Sequence, residues 1–150
     1  MSSSLASQLH SVLQEVQQCR VCQNLIPEPN PVVRLGTTAR LLIIGQAPGT
    51  RVHASGIPWD DASGMRLRQW LGISEADFYA LDKVAIMPMA FCYPGKGKSG
   101  DLPPRPECAP LWHDTLSRKL PDIRCTLLIG QYAQNYYLPG QYKTLTERVS

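Results

Sequence analysis

The chain has 150 residues, 43% of them hydrophobic and 18% charged, with a formal net charge of +3, a balance that excludes a disordered polyelectrolyte and suits one globular domain spanning residues 1–150. No apolar run approaches the roughly 18 residues of a membrane span, and Met1-Ser2-Ser3-Ser4 lacks the basic and apolar regions of a signal peptide, so a cytoplasmic, monomeric protein with no membrane association is expected. Five cysteines in a reducing compartment point to metal ligands or buried thiols rather than disulfides, while mild basicity permits a polyanionic partner without requiring one.

Leu5, Leu9, Val12, Leu13 and Val16 fall on one face of a helix over residues 5–18, with Ser2 to Ser4 available to cap it. That helix runs into Cys19-Arg20-Val21-Cys22. Two thiolates at this spacing can converge on one ion, or they can be an accidental pair. Pro27-Glu28-Pro29-Asn30-Pro31 is too rich in proline for a helix or a central strand and reads as a surface crossing.

Leu41-Leu42-Ile43-Ile44 is four apolar residues without alternation, as in a strand covered on both faces of a parallel sheet. It stops in Gly45-Gln46-Ala47-Pro48-Gly49. Ligands of parallel sheets bind beyond the carboxyl ends of the strands, and a turn of this composition brings main chain and one amide to that end; it also suits a plain strand-to-helix turn. Residues 50–61 read as a loop holding His53 and Trp59, whose ring either plugs the core or offers its face to a planar ligand. His53 there is a ligand, an acid or simply solvated.

A helix from Ser63 to Leu71 is expected to be capped by Ser63, to bury Met65, Trp70 and Leu71, and to leave Arg66 and Arg68 pointing elsewhere. Ser74-Glu75-Ala76-Asp77 starts a short helix through Leu81, and Val84 to Met89 is a second buried strand with Pro88 at its end. Residues 91–108 form the longest irregular segment; Gly97-Lys98-Ser99 is not a P-loop, because Cys92 stands where that motif needs glycine. Lys96, Lys98 and Arg105 could track a nucleic-acid backbone or lie in a solvated loop. A helix over residues 107–120 burying Leu111, Trp112 and Leu116, a strand Cys125 to Gly130 and a helix from Gln131 to about Leu138, ended by Pro139-Gly140, complete three strand-then-helix units, hence a parallel sheet.

Cys19, Cys22, Cys92 and Cys108 then form a set of four, with Cys125 expected as a buried thiol inside its strand. Two ligands near the start and two at the ends of a long loop suit a four-thiolate iron–sulfur cluster, of the 4Fe-4S type, with zinc as the alternative.

The order of these motifs resembles the uracil-DNA glycosylase superfamily, most closely its iron–sulfur (family four) branch. That branch pairs an early C-x2-C with a strand ending in Gly-Glu-x-Pro-Gly, a Gly-x-Pro-aromatic loop, a Cys after the second strand and another after an Arg-x-Pro-type segment. The matching residues here are Cys19 and Cys22, Gly45 to Gly49, Gly56-Ile57-Pro58-Trp59, Cys92, and Arg105-Pro106-Glu107-Cys108. The resemblance implies a three-layer αβα fold with a short parallel central sheet, lacking its last strand in this chain, which would then be C-terminally truncated. It implies excision of uracil or another altered base from DNA. The flipped base would stack on Trp59. Gly45, Gln46, Ala47, Pro48, Gly49 and Arg51 would contact it and position a water, with Gln46 as the catalytic position, and the segment around Arg105 would press on the DNA backbone. Three features depart from the family pattern: Gln46 replaces a carboxylate, Pro88 stands where the family reads uracil with Asn, and no His-Pro-Ser motif occurs in these residues. They support a second reading, a nucleic-acid-binding or damage-sensing homologue without glycosylase chemistry.

Overall fold

The computed structural model describes residues 4–138. In chain order the elements are α1 (Leu5–Gln17), β1 (Leu41–Ile44), α2 (Thr50–Ser55), α3 (Ala62–Leu71), α4 (Glu75–Phe78), β2 (Val84–Ile86), β3 (Lys96–Gly97), β4 (Gly100–Asp101), α5 (Cys108–Ser117), β5 (Cys125–Leu128) and α6 (Gln131–Tyr137). Strands β2, β1 and β5 form a parallel sheet in that order, Leu42 lying beside Ala85 on one side and Thr126 on the other. Strands β3 and β4 make a separate antiparallel hairpin within the segment read as irregular.

Alternate residues of the sheet feed two cores. Leu42, Ile44 and Ala85 pack with Leu9 and Val16 of α1, Ala109 and Leu116 of α5 and Ala133 of α6. Ile43, Val84 and Ile86 pack with Leu67 of α3 and Phe78 of α4. The unalternating apolar runs of β1 and β2 are therefore explained by burial on both faces, whereas β5 is buried only in part, and the expected αβα layering is observed. Ile43 and Ile44 are 0% and 1% exposed, and full burial of such a side chain is worth roughly 1.5–3 kcal/mol. The proline-rich crossing ends in an extended segment that pairs with β2: Arg34 and Ile86 exchange main-chain hydrogen bonds at 2.9 and 2.7 Å. Pro27 and Glu28 are exposed, as a surface crossing implies, and the chain turns inward at Pro31 and Val32, which are buried. No helix among the described residues is long and apolar enough to cross a membrane.

Several local expectations need correction. Residues 50–55 are helical rather than loop, the turn closing at Gly56 with φ of 74°, and half-buried His53 sits on that helix, 3.5 Å from Glu28. The cap of α3 is Asp61, whose carboxylate accepts the Gly64 amide at 2.8 Å. The inward face of α3 starts at Gly64, so Leu67, Arg68 and Leu71 follow it at helical spacing; Met65 and Trp70 are left 61% and 77% exposed. Helix α4 ends at Phe78, short of Leu81, and β2 ends at Ile86, before Pro88. On α5 the buried set is Ala109, His113 and Leu116, while Leu111 is exposed. Cys125 is exposed, because β5 has a neighbour on only one side in the described sheet. The expected helix end at Pro139-Gly140 lies outside the described residues.

Candidate functional site

Strand β1 delivers the turn at residues 45–49 to the carboxyl end of the sheet, where it is tied to the segment after β2. Met89 N–H donates to the Gly45 carbonyl at 2.8 Å and Ala90 N–H to the Gln46 carbonyl at 3.1 Å. Between these segments, the loop before α3 and the β3–β4 hairpin opens a cleft of about 280 Å³. Gly45, Gln46, Ala47, Pro48 and Gly49 form one side, Pro58 and Trp59 another, and Asp61, Pro88 and Asp101 also line it. The Gln46 residue is exposed. Two acidic residues thus line a cleft that the motif itself supplies only with an amide. Asp61 comes from the cap of α3, and Asp101 from β4, where the Tyr93 hydroxyl lies 3.4 Å from it.

Trp59 has the single positive φ, 61°, of any described residue other than glycine. For a bulky side chain that conformation costs about 1–2 kcal/mol, so neighbouring structure must impose it. A Cβ on Gly64 would stand 1.7 Å from the Trp59 carbonyl oxygen, and one on Gly45 would stand 2.9 Å from the indole Cζ2. Both glycines are therefore required by close approach to Trp59. The ring packs against the Ile43–Phe78 core while lining the cleft, so it fills the core and offers a surface at once.

Behind the cleft, fully buried His113 bridges Pro88 and α6. A carbonyl can only accept, so Nε2 carries the proton donated to the Pro88 oxygen at 2.8 Å, and Nδ1 accepts from the Tyr137 hydroxyl. Burial pushes the His113 pKa down against the opposing pull of the Pro88 carbonyl, and burial pushes the Tyr137 hydroxyl up to about 12. A neutral imidazole fits this bridge.

The four cysteines of the sequence set line a second cavity, together with Arg20, Arg105 and Glu107. Burial, with smaller contributions from the other three thiols, raises Cys108 to about 12, although the Phe91 amide, 3.3 Å from its sulfur, acts against this. Burial likewise raises Cys92 and Cys22. Four thiols lining one cavity are the donor type that a four-thiolate group uses. As they stand, no group of three or more His, Cys, Asp or Glu side chains among the described residues is arranged to hold a metal ion.

Arg105 points its guanidinium at Glu107 in a two-pronged ion pair beside Cys22 and lines the cysteine cavity rather than the cleft. Arg51 lies exposed on α2, and Lys96 and Lys98 are exposed on the hairpin. Motif reading missed Asp61, Asp101 and His113. Only the Asp-before-helix cap signal could have singled out Asp61; Asp101 and His113 reach the site through tertiary packing alone.

The family model for the Uracil DNA glycosylase superfamily matches residues 33–149, which include the turn, Trp59 and every other residue of the cleft except Val32. The chain belongs to the uracil DNA glycosylase superfamily.

Proposed function

We propose that the protein hydrolyses the N-glycosidic bond of a deaminated or otherwise altered base in DNA, the base being turned out of the helix into the Trp59 cleft. One observation carries this reading: the cleft joins an aromatic wall, a main-chain turn and two carboxylates at the carboxyl end of the sheet. A base must leave the stack for chemistry at its glycosidic bond. Trp59 supplies the stacking face, and the turn at 45–49 supplies close main-chain contact. Cleavage passes through an oxocarbenium-like sugar that a nearby carboxylate stabilises, with an oriented water as nucleophile. Gln46 can orient that water but cannot take its proton at neutral pH. Asp61 is the group in the cleft suited to that task, with Asp101 as the second negative charge facing the sugar. Pro88 offers no side-chain donor where uracil would be read, so base selection falls to Gln46 and the main chain.

For the second cavity we propose that Cys19, Cys22, Cys92 and Cys108 hold a 4Fe-4S cluster, with zinc as the alternative. Such a group would stitch the end of α1 to the segment before α5. No step of base excision is assigned to it.

The opposing reading is a DNA-binding homologue without chemistry, favoured by Gln46 and Pro88. Incubation with single- and double-stranded oligonucleotides carrying uracil or hypoxanthine, followed by alkaline scission, separates the two. Abasic products support the enzyme; salt-dependent binding without scission supports the binding module.

A further inference from the structure

We infer that Arg68 and Tyr79 are positioning residues that together fix the backbone of Trp59. The two peptide planes flanking the Trp59 Cα determine its φ and ψ. The carbonyl of each plane is held by one of these side chains: the Tyr79 hydroxyl donates to the Pro58 oxygen at 2.7 Å, and Arg68 Nη1 donates to the Trp59 oxygen at 3.2 Å. The two holders are joined to each other, Arg68 Nη1 lying 3.3 Å from the Tyr79 hydroxyl oxygen. The guanidinium carbon of Arg68 also lies 5.1 and 5.6 Å from the centroids of the Phe78 and Tyr79 rings, which meet edge to face. From the far side, Arg34 Nη2 donates to the Tyr79 carbonyl at 2.8 Å, which anchors the clamp to the segment paired with β2.

This arrangement explains how a bulky residue is kept at φ of 61° and why an arginine turns inward on α3. A guanidinium holds its donors in a fixed planar fork and is weakly hydrated, so it keeps an aromatic contact and a directed hydrogen bond together better than a strongly hydrated ammonium on a flexible stem does. That Trp59 is positioned for a base rests on the proposed function, whereas the clamp itself does not.

The test uses the full chain with Trp70→Phe and Trp112→Phe, leaving Trp59 as the only tryptophan. Tyr79→Phe, Arg68→Met and Arg68→Lys are added singly. Acrylamide quenching and near-ultraviolet dichroism of Trp59 are read in the free protein, and affinity for a uracil-containing oligonucleotide is read separately. Tyr79→Phe and Arg68→Met are expected to increase quenching, collapse the dichroic band and weaken binding about tenfold, the loss expected when a stacking face is misplaced. Arg68→Lys should recover only part of both signals. Tyr79→Phe removes one oxygen and keeps the ring, so it remains informative if Arg68→Met fails to fold. Unchanged Trp59 quenching and dichroism in folded Tyr79→Phe overturn the inference. Altered Trp59 signals in a protein whose parent binds no such oligonucleotide support the clamp and overturn the base pocket instead.

Discussion

The carbonyl oxygen of Trp59 occupies the place a side chain would take at Gly64, 1.7 Å from an ideal Cβ. The backbone entering α3 is thus pressed against the first turn of that helix, and residue 64 must be glycine although it is helical. Gly64→Ala should destabilise the protein by about 1–3 kcal/mol through overpacking, despite the intrinsic gain of roughly 1 kcal/mol that alanine brings to a helix. Urea denaturation measures the difference; a more stable variant would mean that Trp59 is free to move aside.

The His113 bridge makes stability depend on pH. Its folded pKa lies below its ordinary value of 6.5 because burial disfavours the charge, so the unfolded chain takes up the proton first. This contribution is complete above about pH 6.5 and falls away as pH drops towards the folded value, by at most about 1.4 kcal/mol per pH unit. Equilibrium unfolding between pH 7.5 and 5 should show that decline. His113→Gln, which can still donate to Pro88 and accept from Tyr137, should flatten it.

Replacing the stacking wall tests the cleft directly. Trp59→Ala should weaken binding to DNA bearing an altered base by about 1–3 kcal/mol, and Trp59→Phe should retain most of the affinity. Fluorescence anisotropy titration at fixed salt measures both. Equal weakening on undamaged duplex would place the contribution of Trp59 outside base recognition.

The cysteine cavity predicts colour. Protein purified without oxygen should be brown and contain iron and sulfide in equal amounts, as in a cubane cluster, and Cys108→Ser should lose both and melt earlier. Stoichiometric zinc, or four freely titrating thiols in a colourless protein, would rule out the cluster.

Much of the architecture was legible because it is written locally. The unalternating runs at 41–44, 84–86 and 125–128 mark strands in a parallel sheet, and Gly45 to Gly49 marks where the first one ends. Ordered motifs likewise pointed to the turn, Trp59 and the four cysteines. The register of α3 was not legible, since the preference of Met65 and Trp70 for burial was overruled by the need to seat Trp59 on Gly64. That single contact turns Arg68 inward. Asp101, Tyr79 and His113 reach their places through long-range packing, which leaves no pattern in neighbouring residues. The exposure of Cys125 follows from the position of its strand in the sheet, a property of topology rather than of apolar sequence.

In the proposed function the cleft releases a base and Asp61, rather than the Gln46 amide, takes the proton of the attacking water. This is tested most directly by chromatographic measurement of free base released from an oligonucleotide with one uracil, using the native chain and Asp61→Asn in parallel. Asparagine caps a helix as well as aspartate does, so the variant keeps the start of α3. Release by the native protein and a fall of about 100-fold or more in Asp61→Asn are expected, with DNA binding retained. Equal release by both proteins, or none by the native chain on uracil or hypoxanthine substrates, would contradict the proposed function.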